Sequence, residues 1–210
     1  MAIAGAWAAY GAAAAVPASD RQAWTEVDVT VPLAPALSST IIALARAGAA
    51  LPDPTVAGGG ITADLDLRAW TLGLGAYEVS VRNAADGARG SIRIPFANAT
   101  IAADASGLRL ANRVRVLELA NLTGSPVFCA DKLSADMGLP VPVASAHVFA
   151  SDEFFYDVAL DRWYRNRAQI GAGMPAAGHG ELQVYYLRQN DHQGEPRVLN
   201  VLGLTWKFAL

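Results

Sequence analysis

The chain has 210 residues, 53% of them hydrophobic and only 17% charged, with a mean hydropathy of +0.25. That length accommodates one full domain or one barrel and is short for two. A net charge of −3 and a pI near 5.6 leave no basic footprint for nucleic acid, and a single cysteine, Cys129, excludes an internal disulfide or a multi-cysteine metal cluster.

The amino terminus, Met1 to Ser19, is uncharged and Ala-rich, with Val16-Pro17-Ala18 offering small residues before polar Ser19-Asp20-Arg21. Residues 1–19 are therefore expected to be an export signal or its remnant, although no Lys or Arg precedes the apolar stretch. The alternative is a short helix or strand that stays with the mature protein. Residues 20–210 are expected to form one domain.

From Trp24 onward the pattern has period two. Val27, Val29, Val31 and Leu33 alternate with Trp24, Glu26, Asp28 and Thr30, which places an apolar and a charged face on one strand. A less regular run around Ile41 to Arg46 follows, and Pro52, Pro54 and Gly58-Gly59-Gly60 predict a loop. The clearest strand is Ile61 to Trp70, with Ile61, Ala63, Leu65, Leu67 and Ala69 opposing Thr62, Asp64, Asp66 and Arg68. Tyr77, Val79 and Val81 then oppose Glu78, Ser80 and Arg82. Ser91 to Ala102, interrupted by Pro95, reads as one bent strand or two.

Leu108 to Leu119 carries Arg109, Arg113 and Arg115 against Leu110, Val114 and Val116. Leu133 to Leu139 alternates with Lys132, Ser134 and Asp136, and Val143 to Ala150 follows a tight reversal at Pro140 to Pro142. Ser151 to Asp161 reads as a polar loop. Beyond it Arg165, Arg167 and Gln169 oppose Ala168, Ile170 and Met174, Glu181, Gln183 and Tyr185 oppose Leu182, Val184 and Tyr186, and Leu202 to Phe208 closes the chain.

High hydropathy in alternating strands, without a run of about 20 apolar residues after the amino terminus, predicts an all-β fold. The specific expectation is a transmembrane antiparallel up-and-down β-barrel of about twelve strands, with ten as the alternative. Long and tight connections alternate in the carboxy-terminal half, as in outer-membrane barrels. Trp24, Trp163, Tyr164, Tyr186, Trp206 and Phe208 fall near inferred strand ends, where interfacial aromatics sit.

Ser151-Asp152-Glu153-Phe154-Phe155, Asn166-Arg167 with Gly171 and Gly173, Tyr185-Tyr186-Leu187-Arg188-Gln189 and Val198 to Phe208 together resemble an uncharacterised bacterial family, domain of unknown function 2490. The resemblance runs over roughly 24–210 and is strongest from Leu108. It implies an outer-membrane barrel and brings no activity with it. Leu117, with Glu118 beside it, stands where the family carries a Glu after its paired arginines. Gly203-x-x-Trp206-x-Phe208 separately resembles the terminal strand read by the barrel-assembly machinery, with Ala209-Leu210 extending past the aromatic.

The expected lumen is lined by Glu26, Asp28, Asp64, Asp66, Arg68, Glu78, Arg82, Arg113, Arg115, Arg165, Arg167 and Glu181, forming either a salt-bridge network or a narrow polar pore or anion site. Ser145 and His147, two apart on one strand, are catalytic candidates with Asp152 or Glu153 as orienter. Same-face neighbours on a strand stand roughly 6–7 Å apart, too far for a direct Ser–His bond. No residues have metal-ligand spacing and no cofactor motif occurs; Gly58-Gly59-Gly60 lacks the Lys of a phosphate loop.

Three functional readings follow: a porin-like structural or passive-transport barrel in the outer membrane of a Gram-negative bacterium, an outer-membrane lipid-modifying hydrolase, or a soluble periplasmic ligand-binding barrel. The first implies outer-membrane lipids and the assembly machinery as partners.

Overall fold

A computed structural model describes residues 19–48, 55–82, 88–122, 124–140, 146–176, 180–192 and 198–210. The expected export signal at residues 1–19, apart from Ser19, lies outside the described residues, as does Ser145.

Eleven strands run in chain order: β1 (Ser19–Ala34), β2 (Leu37–Gly48), β3 (Val56–Leu67), β4 (Trp70–Arg82), β5 (Arg89–Ala105), β6 (Leu108–Glu118), β7 (Val127–Gly138), β8 (His147–Asp157), β9 (Arg162–Ala176), β10 (Gly180–Asp191) and β11 (Val198–Ala209). Each pairs antiparallel with the next, and β1 closes on β11, so the sheet is a closed barrel. The all-β barrel read from alternation is what forms, and its eleven strands fall between the two counts weighed. An odd number has a geometric consequence. Ten reversals leave the first and last strands pointing the same way, so β1 and β11 pair in parallel from Ser19↔Val198 to Thr30↔Ala209.

Two expected loops are strand. Gly58-Gly59-Gly60 lies within β3, paired to both β2 and β4, and Ser151 to Asp157 belongs to β8. In both cases polar or small residues face the interior of the barrel, where they satisfy the alternation that sequence alone assigns to loop. Pro95 does not divide β5. Its ring points outward and the strand runs unbroken past it.

The rims differ. At one, the turn rim, Pro35-Ala36, Arg68-Ala69 and Ser106-Gly107 each join two strands directly. Ser106 and Gly107 have φ of 51° and 83°, the two positive values a tight hairpin needs to match strand twist. The other, the loop rim, carries the connections after β2, β4, β6, β8 and β10.

Except on β4, the apolar residues of the alternating sets face outward. Leu65, Leu67, Val114 and Leu204 are 39%, 48%, 46% and 38% exposed, and none belongs to a packed interior cluster. The interior is narrow, and small residues make room for large ones across it. Gly60 pairs with Tyr77, Gly75 with Phe96, Gly171 with Phe149 and Gly203 with Tyr185, each ring lying over its glycine. A Cβ on Gly203 would stand 2.0 Å from the Tyr185 ring, which is held in a cluster with Trp24, Leu187, Leu199 and Val201. Gly203→Val is therefore expected to destabilise the fold by about 1–3 kcal/mol, read as a fall in the midpoint of urea unfolding.

Candidate functional site: the charged lumen

Strand alternation brings three zones to the inner wall. Toward the loop rim the lumen is apolar: Val56, Val79, Ile92, Leu119 and Phe128 pack together, with Leu44, Ile94, Leu117 and Tyr164 against them. Leu119 and Leu122 come from the connection after β6 and fold into this cluster, so the interior there is filled by side chains.

Across the middle runs a belt of cations. Arg113, Lys132, Glu153 and Arg167 are direct cross-strand neighbours on β6 to β9, and Arg115, Ala130, Phe155, Arg165 and Asp191 form the adjoining row. Glu153 accepts from Arg113 Nη2 at 2.8 Å and lies 3.9 Å from Arg167 Nη1. Asp191 takes Arg165 in a two-point clasp, at 2.5 and 3.1 Å, the geometry in which a guanidinium binds a carboxylate most strongly. Arg167 Nε donates to Gln189 at 2.7 Å.

Aromatic faces carry the remaining charge. The Trp24 ring carries Arg46, its cross-strand neighbour on β2, at 4.0 Å and Arg167 of β9 at 5.5 Å, and Arg115 stacks on Phe96 at 4.4 Å.

Near the turn rim the inner wall becomes acidic, with Asp64, Asp66, Asp104, Asp136 and Glu181 facing Arg109, His147 and Lys207. Thr62 and Thr71 donate to Asp64 and Asp66 at 2.9 and 2.7 Å. His147 Nδ1 lies 2.8 Å from Asp136, while its Nε2 is buried without a hydrogen-bond partner, 3.6 Å from Glu181.

Of the residues expected to line the lumen, Glu26, Asp28, Asp64, Asp66, Arg113, Arg115, Arg165, Arg167 and Glu181 lie on the inner face by strand register. Three do not. Glu78 is on the outer wall, 3.4 Å from Arg93 and hydrogen-bonded to Ser91. Arg82, an even number of residues along the same strand, shares that face, and Arg68 occupies the turn between β3 and β4 with φ of 60°. The error in β4 has a physical origin. Its valines face the apolar part of the lumen, so an apolar-out rule turns the strand inside out.

Sequence reasoning left out Arg46, Lys132, Glu153 and Asp191. Lys132 is legible as the partner face of Leu133, whereas Glu153 falls in the stretch whose composition reads as a polar loop. Of the candidate catalytic pair, His147 faces the lumen between carboxylates, and neither proposed orienter is beside it: Asp152 bonds Asn166 on the outer wall, and Glu153 belongs to the arginines. Gly203 sits on the inner wall of β11, whereas Trp206 and Phe208 project outward and stack at 5.3 Å.

No family model matches this chain, nor does any curated protein. Among the described residues no group of three or more His, Cys, Asp and Glu side chains is placed to hold a metal ion.

Proposed function

We propose that the protein is a membrane-spanning barrel of the outer-membrane type in a Gram-negative bacterium, with a structural or narrow-passage role rather than that of an open pore. The observation that carries this reading is the inversion of the wall: the exposed aliphatic side chains face out, and most of the charged ones face in. A water-soluble barrel would gain stability by burying Ile61, Leu74, Leu133, Ile170 and Leu202, each 56–66% exposed here. Hydrocarbon solvates them instead.

Three further features support it. Every strand has 11 to 17 residues, enough to cross a bilayer, for which about 9–11 suffice at barrel tilt. Outward aromatics cluster at both rims: Phe154, Tyr156 and Trp163 pack edge to face near the loop rim, and Trp206 with Phe208 near the turn rim. Polar groups on the outer wall between β6 and β9 are paired within the wall, Asn112 to Asp131 at 2.6 Å and Asn166 to Asp152, which lowers the cost of placing them in lipid. The apolar filling toward the loop rim favours the structural side of the reading.

In this reading outer-membrane lipids surround the wall, the assembly machinery inserts it through β11, and the turn rim faces the periplasm. Cell fractionation tests it. The protein is expected in the membrane fraction, extracted only by detergent, and migrating faster on gels unheated than after boiling. Recovery as a soluble periplasmic protein without detergent would overturn it.

A further inference from the structure

The cationic belt has more positive charge than its own carboxylates answer. Arg46, Arg113, Arg115, Lys132, Arg165 and Arg167 are six cations. Glu153 and Asp191 are ion-paired within the belt, and Glu26 faces it from β1 within electrostatic reach of Arg46, Arg115 and Lys132. Six against three leaves three positive charges.

The surplus is localised. Among the described residues Arg46, Arg115 and Lys132 have no carboxylate within ion-pair distance, and the Nε of Arg115 and that of Arg113 are buried without an acceptor. Lys132 stands directly opposite Arg113 across the β6–β7 pair, a like-charge juxtaposition that destabilises a sheet. Such a local excess is costly where the dielectric is low unless a counter-charge lies beside it.

We propose that the belt is a binding site for a single oxyanion of the phosphate or carboxylate class, held between Arg115 and Lys132 with Arg113 beside them. Guanidinium donors in fixed orientation, with the Arg115 plane braced on Phe96, suit the planar arrangement of oxygens that such groups present. The acidic wall near the turn rim opposes escape of an anion in that direction, which makes the belt a site of retention rather than of anion conduction. This inference rests on the closed polar lumen and not on where the barrel resides.

Calorimetric titration of the detergent-solubilised full chain tests it, with inorganic phosphate at constant ionic strength in one arm and dihexanoyl phosphatidic acid in the other. Saturable binding of about one equivalent is expected, weakened roughly tenfold or more by R115Q and by K132M and unchanged by R93Q on the outer wall. Binding of inorganic phosphate with this pattern identifies a free oxyanion; binding of the phosphatidic acid alone, with the same pattern, identifies a lipid headgroup. Absence of saturable binding in both arms, or equal binding by all variants, overturns the proposal.

Thermal unfolding supplies a second reading. In phosphate-free buffer K132M is expected to unfold at or above the wild-type temperature, because it relieves repulsion from Arg113. A clear fall would mark Lys132 as structural and overturn the site. Heat-modifiable mobility of the same samples reports the barrel itself, so loss of binding in a folded, detergent-dependent protein counts against the site alone.

Discussion

Glu153→Ala is expected to be among the most damaging single substitutions in the lumen, costing about 3–5 kcal/mol of stability, the range for removing one partner of a buried ion pair. The carboxylate is largely buried and stands between Arg113 at 2.8 Å and Arg167 at 3.9 Å, with Lys132 beside it in register. Its removal leaves three cations facing one another with no intervening charge. The same reasoning sets the sign of a compensating change: adding Lys132→Met to Glu153→Ala should restore part of the loss, whereas Lys132→Met alone should leave stability at or above that of the wild type. Urea unfolding followed by gel mobility checks both. A Glu153→Ala protein as stable as wild type would overturn the assignment of Glu153 as the charge that holds Arg113 and Arg167 together.

Ile61→Arg separates the two environments the outer wall can have. Ile61 is 56% exposed, near the middle of β3, flanked across the sheet by Ile41 and Ala76, and the nearest outward carboxylate, Glu78, is already paired with Arg93. On a protein surface in water, exchanging an exposed Ile for Arg changes stability by no more than about 0.5 kcal/mol. In the midplane of a bilayer the same exchange costs about 2–4 kcal/mol. Reversible folding into lipid vesicles, with a parallel measurement of yield in the membrane fraction, distinguishes the outcomes. An unaffected Ile61→Arg protein would return the chain to the soluble periplasmic reading.

The barrel was legible because alternation survives wherever one wall is consistently apolar, as from Val27 to Leu33 and from Ile61 to Leu67. It failed where the inner wall is apolar too. Nothing in Tyr77-Glu78-Val79-Ser80-Val81 states which set points inward; only the register against Gly58, Gly60, Ile92 and Ile94 decides it. The lumen charges were half legible for a related reason. Paired arginines on one strand declare a shared face, but Arg46 and Trp24 meet Arg167 only because the sheet closes, and a closing contact leaves no local trace in the chain. Glu153 was hidden differently. Asp152, Glu153 and Asp157 read as a polar loop, although Asp152 is an outward residue satisfied by Asn166 and the other two face in.

The parallel junction of β1 with β11 sets the order of assembly. The other ten pairings join neighbours in sequence and can zip up hairpin by hairpin, whereas this one unites segments almost the whole chain apart and bears the largest loop-closure entropy. Parallel pairing is also slightly weaker per residue. Until it forms, the sheet has two open edges that would accept a strand from another molecule. The last step of folding is thus also the one that prevents polymerisation, and amides along Trp24–Val29 and Gly203–Phe208 should exchange with solvent sooner than those of the central hairpins.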